Sequence, residues 1–121
     1  MRVYISGAMT SDPDYEEKFN VAEIWIRRKY PEAEIVNPVR ISRELEESMC
    51  AKPDSLPRPE YLKKDIRELV ECDRLVAIPG FEKSAGAMLE INIALSLYLV
   101  VAQIPEEDFN SILAELWRKA K

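Results

Sequence analysis

Glu90 closes the run Ser84-Ala-Gly86-Ala-Met-Leu-Glu90, and the residues after it to Leu97 are nearly all apolar. A carboxylate set early in so apolar a helix has two readings. It can do no more than complement the partial positive charge and unpaired N–H groups of a helix N-terminus. Held ionised and facing a cleft, it can instead act as a nucleophile. A second carboxylate, Asp65, borders the apolar stripe of Leu62, Ile66, Leu69 and Val70, either as a surface charge beside Lys63 and Lys64 or as an acid in the same cleft. Tyr4-Ile-Ser6-Gly7 reads as a strand end and tight turn whose backbone N–H groups suit a sugar hydroxyl or a phosphate. Its spacing matches neither the Walker phosphate loop nor the dinucleotide fingerprint. Ser84 is suited to cap the following helix, and Gly86 to let a ligand approach the backbone.

Composition narrows the chemistry. The chain of 121 residues contains no histidine, so it cannot itself supply a Ser-His-Asp triad, a Cys-His pair or a His-bearing zinc site. Acid–base work falls to Asp, Glu, Tyr, Lys or Cys. A net charge of −5 argues against binding a nucleic-acid polymer, which needs a clustered basic face. No apolar run is long enough for a membrane span, and Met1 leads straight into Val3-Tyr4-Ile5 without the features of a secretory signal. Cys50 and Cys72 match no metal spacing and fit a reduced compartment. The expectation is a cytoplasmic protein of one domain over residues 1–121.

Alternating elements must position these groups. Arg2–Ile5 reads as a first strand, and a helix is expected to begin near Asp12-Pro13, with Tyr15, Phe19, Ala22 and Ile26 turned inward. Glu34–Asn37 is a second strand. Residues 39–58 are expected to be the irregular part of the chain and a candidate lid, with Pro53, Pro57 and nearby Pro59 interrupting whatever helix Ile41–Met49 begins. A helix over Pro59–Cys72, an apolar strand over Leu75–Ile78, a helix from about Gly86 to Leu97, a strand over Tyr98–Ile104 and a helix opened by Pro105 complete the chain. Such alternation predicts an α/β fold in three layers: a Rossmann- or flavodoxin-like parallel sheet of four to five strands with helices on both faces. Ligands of such sheets bind beyond the carboxyl ends of the strands where strand order reverses. Both glycine-bearing turns, after the first and third strands, would then face one crevice with Glu90.

The order of these pieces resembles the nucleoside 2-deoxyribosyltransferase-like superfamily, and in particular its DUF4406 branch. The matching pieces are Tyr4-Ile-Ser-Gly7-Ala-Met, Asn37-Pro38, Asp65 followed eight positions later by Asp73, and Ser84-x-Gly86-x-x-x-Glu90. The superfamily includes 2'-deoxynucleoside 5'-monophosphate N-glycosidases. The resemblance implies that Glu90 attacks C1' of a deoxyribose, that Tyr4 orients its carboxylate, and that Asp65 helps protonate the leaving base. It assigns Ser6, Gly7, Ala8, Ser84 and Gly86 to substrate binding, requires no metal or redox cofactor, and implies a nucleoside or nucleotide partner and a homo-oligomer. The chain departs from the pattern where Thr10 stands near an expected phosphate-holding Arg, and where Ala8 stands for a common Pro. The alternative implied by the same fold is a nucleotide-binding module without catalysis.

Overall fold

A computed structural model describes residues 1–120. Four strands form one parallel sheet: β1 (Arg2–Ser6), β2 (Glu34–Val36), β3 (Arg74–Ala77) and β4 (Val100–Gln103), in the order β2-β1-β3-β4. The helices are α1 (Tyr15–Lys29), α2 (Pro38–Ser48), α3 (Arg58–Leu69), α4 (Ala85–Ser96) and α5 (Glu106–Lys119). This is the three-layer α/β architecture, with four strands.

The two-residue period of a strand divides the core. Val3, Ile5, Val76 and Ile78 pack with Phe19, Ala22 and Ile26 of α1 and Phe109 and Ile112 of α5. Tyr4, Leu75 and Ala77 point the other way, toward Ile41 of α2, Leu69 of α3 and Ile91 and Ala94 of α4. Tyr4 and Ser6, two positions apart, share that second face, so both are turned toward α4. The chain leaves β1 in one direction and β3 in the other, so strand order reverses between these two neighbours, whose register pairs Ser6 with Ala77. Ile78 donates its N–H to the Ser6 carbonyl at 2.8 Å and extends the pairing to the rim of the crevice.

Two expectations change. The stretch 39–58 is more regular than expected, because the helix foreseen over Ile41–Met49 is a full α2 from Pro38 to Ser48. Asn37 caps it by accepting the Val39 N–H at 3.0 Å, and Pro38 occupies a first-turn position where its missing N–H costs nothing. Only the link between α2 and α3 is non-helical. Helix α1 starts at Tyr15 rather than near Asp12: Asp12 closes a turn by accepting the Asp14 N–H at 2.9 Å, and its carboxylate pairs with Lys18. Among the described residues, no helix is long and apolar enough to cross a membrane.

Candidate active site

A cleft of about 750 Å³ opens beyond the carboxyl ends of β1 and β3. Asp65, Ser84, Gly86, Glu90 and Gly7 all line it. Glu90 is the sixth residue of α4 and lies on its buried face with Ala87, Ile91 and Ala94, the spacing of one helical stripe. It is 7% exposed, and each of its carboxylate oxygens accepts one hydrogen bond: Tyr4 Oη donates to Oε2 at 2.5 Å and Ser6 Oγ donates to Oε1 at 2.7 Å. Both donors have no exposure and stand behind Glu90 rather than in the cleft. Ser6 therefore serves the carboxylate instead of lining a ligand, because strand alternation turns it under α4. Ala8 does not line the cleft either; the chain swings out of β1 at Gly7, and Met9 and Thr10 reach the cavity.

The charge state of Glu90 differs from the expectation. No acidic residue occupies the first turn of α4, and Glu90 sits a turn too late for the N-terminal partial charge to dominate. Burial pushes its pKa up to about 7, against the pull of the Tyr4 and Ser6 hydrogen bonds. Burial and the neighbouring charges of Glu90 and Glu68 push Asp65 further, to about 8. Asp65 is 8% exposed and its Oδ1 has no hydrogen-bond partner among the described residues. Burial, reinforced by Glu90, raises the Tyr4 phenol well above its usual value, so Tyr4 stays protonated and can only donate to the carboxylate. One neutral acid and one carboxylate that ionises near neutrality thus share a cavity.

Residues 1–103 match the family described as a domain of unknown function, DUF4406. The chain belongs to the DUF4406 family. No curated protein and no solved structure matches it. Within this DUF4406 chain, Ser84 caps α4 by accepting the Ala87 N–H at 3.2 Å, as its position before the apolar run suggested. Gly7 is needed by the fold itself: a Cβ there would fall 2.9 Å from Ile78 Cδ1 and 3.0 Å from Ile78 Cβ. At Gly86 a Cβ would meet nothing nearer than 3.9 Å, from Arg58 Nη2 and Ser84 Oγ, so its lack of a side chain leaves room beside Arg58 at the α4 N-terminus. Asp73 lies at the other end of the sheet, where its carboxylate accepts the Arg2 N–H at 2.8 Å.

Several cleft residues were not singled out from the sequence. Arg58 and Lys83 supply positive charge, and neither forms an ion pair among the described residues. Tyr15, read as a core residue, lines the cavity, as do Tyr61, Leu56 and Asp54. The signal for Arg58 was its place between Pro57 and Pro59, which fix the start of α3 and so the direction of its first turn.

Proposed function

We propose that this DUF4406 protein cleaves or exchanges the N-glycosidic bond of a 2'-deoxynucleoside or its 5'-monophosphate through a covalent glycosyl–Glu90 intermediate. The observation that carries this reading is the presence in one cleft of Glu90, held by Tyr4 and Ser6, and Asp65, whose buried carboxyl has its pKa pushed up to about 8. In the first step an oxygen of the Glu90 carboxylate forms a bond to C1' as the C1'–N bond breaks. The bonding electrons leave with the base, and Asp65 gives its proton to the departing nitrogen. In the second step the nitrogen of another base, or water, attacks C1' and restores the carboxylate, passing its proton to Asp65. This is the two-carboxylate logic of retaining glycoside cleavage. Tyr4 and Ser6 aim the nucleophile and draw off part of its charge, at some cost in nucleophilicity and with a gain in fixed orientation.

Arg58, Lys83 and the N-terminus of α4 line the same cavity and favour the monophosphate, since together they present positive charge without an ion-pair partner among the described residues. Arg58 supplies the guanidinium that Thr10 does not. A homo-oligomer is favoured by the outer surface of α4 and the turn beyond it, where Leu95, Leu97 and Val100 are exposed beside Tyr98, which is 95% exposed with a φ of 60°. Sedimentation over a range of concentrations, with Leu95→Glu as control, tests it; a wild type that sediments as a monomer throughout ends the oligomer reading.

The enzyme reading is tested by incubating the protein with deoxynucleosides and their 5'-monophosphates, with and without an acceptor base, and following released or exchanged base. Mass spectrometry of a quenched reaction should find the deoxyribosyl group on Glu90. Saturable binding without turnover would establish the binding-module alternative, and full activity in Glu90→Ala would defeat the proposed nucleophile.

A further inference from the structure

The link between α2 and α3 forms a wall of the cleft through Asp54 and Leu56, and Tyr61 continues that wall into α3. What holds this wall is a side chain outside the cleft. Glu46, 3% exposed on α2, accepts the Asp54 N–H at 2.6 Å and the Tyr61 hydroxyl at 2.6 Å on Oε2, and Arg43 Nη1 at 2.9 Å on Oε1. Its backbone carbonyl accepts the Ala51 N–H at 2.8 Å. Tyr61 Oη in turn accepts the Leu56 N–H at 3.1 Å. Arg43 extends the network to α1 by donating from Nη2 to the Tyr15 hydroxyl at 2.5 Å and to Glu16 at 2.8 Å. One carboxylate therefore connects cleft residues drawn from three parts of the chain.

Two further facts give this arrangement a purpose beyond packing. Cys50 and Asp54 have φ of 52° and 59°, a left-handed conformation that disfavours a non-glycine residue, so the link would relax unless its surroundings held it. The Asp54 N–H that Glu46 grips belongs to one of those two residues. Tyr61 also lies four residues before Asp65, on the same side of α3. Fixing the Tyr61 hydroxyl therefore fixes the turn from which Asp65 enters the cavity.

We propose that Glu46 is a positioning residue: acting through Tyr61 and Asp54, it sets the position of the cleft wall beside Asp65, and thereby ligand affinity at a site it does not touch. This deepens the reading of the cleft as a ligand site and rests on it. The candidate lid is on this view a latched wall that need not open as a unit.

Amide exchange and steady-state kinetics test the proposal, comparing wild type with Glu46→Gln and Tyr61→Phe and using the four 2'-deoxynucleoside 5'-monophosphates as probes. Glu46→Gln keeps the shape but removes the charge that binds Arg43. Exchange over residues 50–57 should quicken about tenfold while the core strands stay protected, the loss expected for charge-assisted hydrogen bonds. KM should rise about tenfold with kcat within about threefold, because binding geometry is loosened and the carboxylates are untouched. Tyr61→Phe, which removes one hydroxyl, should move both readouts the same way by less. Unchanged exchange over 50–57, or a uniform rise across the whole chain, would overturn the proposal, as would unaltered kinetics in a variant whose wall has loosened. If neither the monophosphates nor the unphosphorylated deoxynucleosides bind or turn over with wild type, the glycosidic reading fails by itself, and Glu46 is judged on the exchange pattern.

Discussion

Glu90 and Glu46 are both buried glutamates on helices beside one cleft, yet their surroundings send them in opposite directions. Glu46 has a cation: burial disfavours its charge, but hydrogen bonds from Tyr61 and Arg43 hold its pKa below the ordinary value. Glu90 has two hydroxyl donors and no cation, and burial wins, leaving it to ionise near pH 7. Burial alone therefore does not mark a reactive carboxylate. What separates them is whether the neighbours neutralise the charge or merely orient it. A neutralised carboxylate is a structural tie, whereas an oriented but uncompensated one keeps the capacity to react.

The sharpest way to break this comparison is to remove the proposed nucleophile. Glu90→Gln should lower kcat about a thousandfold or more, as expected when a covalent nucleophile is lost, while leaving the fold intact. Equal loss of activity from Glu46→Gln would erase the distinction, since that variant is expected to act mainly on KM.

Stability against pH separates the two carboxylate environments without any assay of activity. Asp65 and Glu90 have folded pKa values near 8 and 7, above their ordinary values, so the native state binds more protons than the unfolded chain between about pH 4 and pH 8. Stability must fall as pH rises through that window, and Asp65→Asn should flatten the fall by roughly 2–4 kcal/mol. Glu46 has the reverse sign. Its pKa is lowered, so its stabilisation is present above the usual glutamate range and is lost as pH falls below it. Denaturant titrations from pH 2 to pH 9 on wild type, Asp65→Asn and Glu46→Gln check both signs, and a wild-type curve that rises from pH 5 to pH 8 would contradict the buried pair.

The same pair predicts the pH–rate profile. On the proposed mechanism, with Glu90 as nucleophile and Asp65 as acid, kcat/KM should be bell-shaped, with limbs near 7 and 8 that belong to the pair rather than to either residue alone. Tyr4→Phe removes one of the two donors to Glu90. It should lower kcat about tenfold to a hundredfold and move the acid limb upward, since a hydrogen bond that favours the charged form is gone. A fall in rate with an unmoved limb would assign Tyr4 to packing.

Much of this arrangement was legible in the sequence because it depends on short-range rules. Glu90 and Asp65 stood out as charges beside apolar helical runs, and Ser84 before such a run announced a cap, whereas the place of Ser6 beneath Glu90 was missed because the first strand was ended at Ile5 and Ser6 assigned to the turn. The alternation of strands and helices likewise implied neighbouring turns at a topological switch. The Glu46 network was not legible, because its partners are 3, 8 and 15 residues away in a stretch where prolines break periodicity. Only the folded chain brings Arg43 to Tyr15 across 28 positions. The ionisation of Glu90 was misjudged for a related reason: a helix terminus can be read from sequence, whereas the desolvation that outweighs it depends on what packs over the side chain.

The smallest effect expected comes from the two cleft glycines, which divide along the same line between holding the fold and serving a ligand. Gly7→Ala would push a methyl against Ile78 where β1 meets β3 and should cost about 1–3 kcal/mol, lowering Tm with little change in KM among folded molecules. Gly86→Ala meets only ordinary contacts in the first turn of α4, where alanine is the better helix former, so its stability should rise by up to about 1 kcal/mol. Its methyl would nonetheless occupy space between Ser84 and Arg58. If a phosphate sits there, Gly86→Ala should raise KM for the monophosphate by a few-fold and leave the unphosphorylated nucleoside unchanged, a difference seen by comparing the two substrates on one enzyme. An equal effect on both would move the anion away from the α4 N-terminus and leave Arg58 and Lys83 as surface charge.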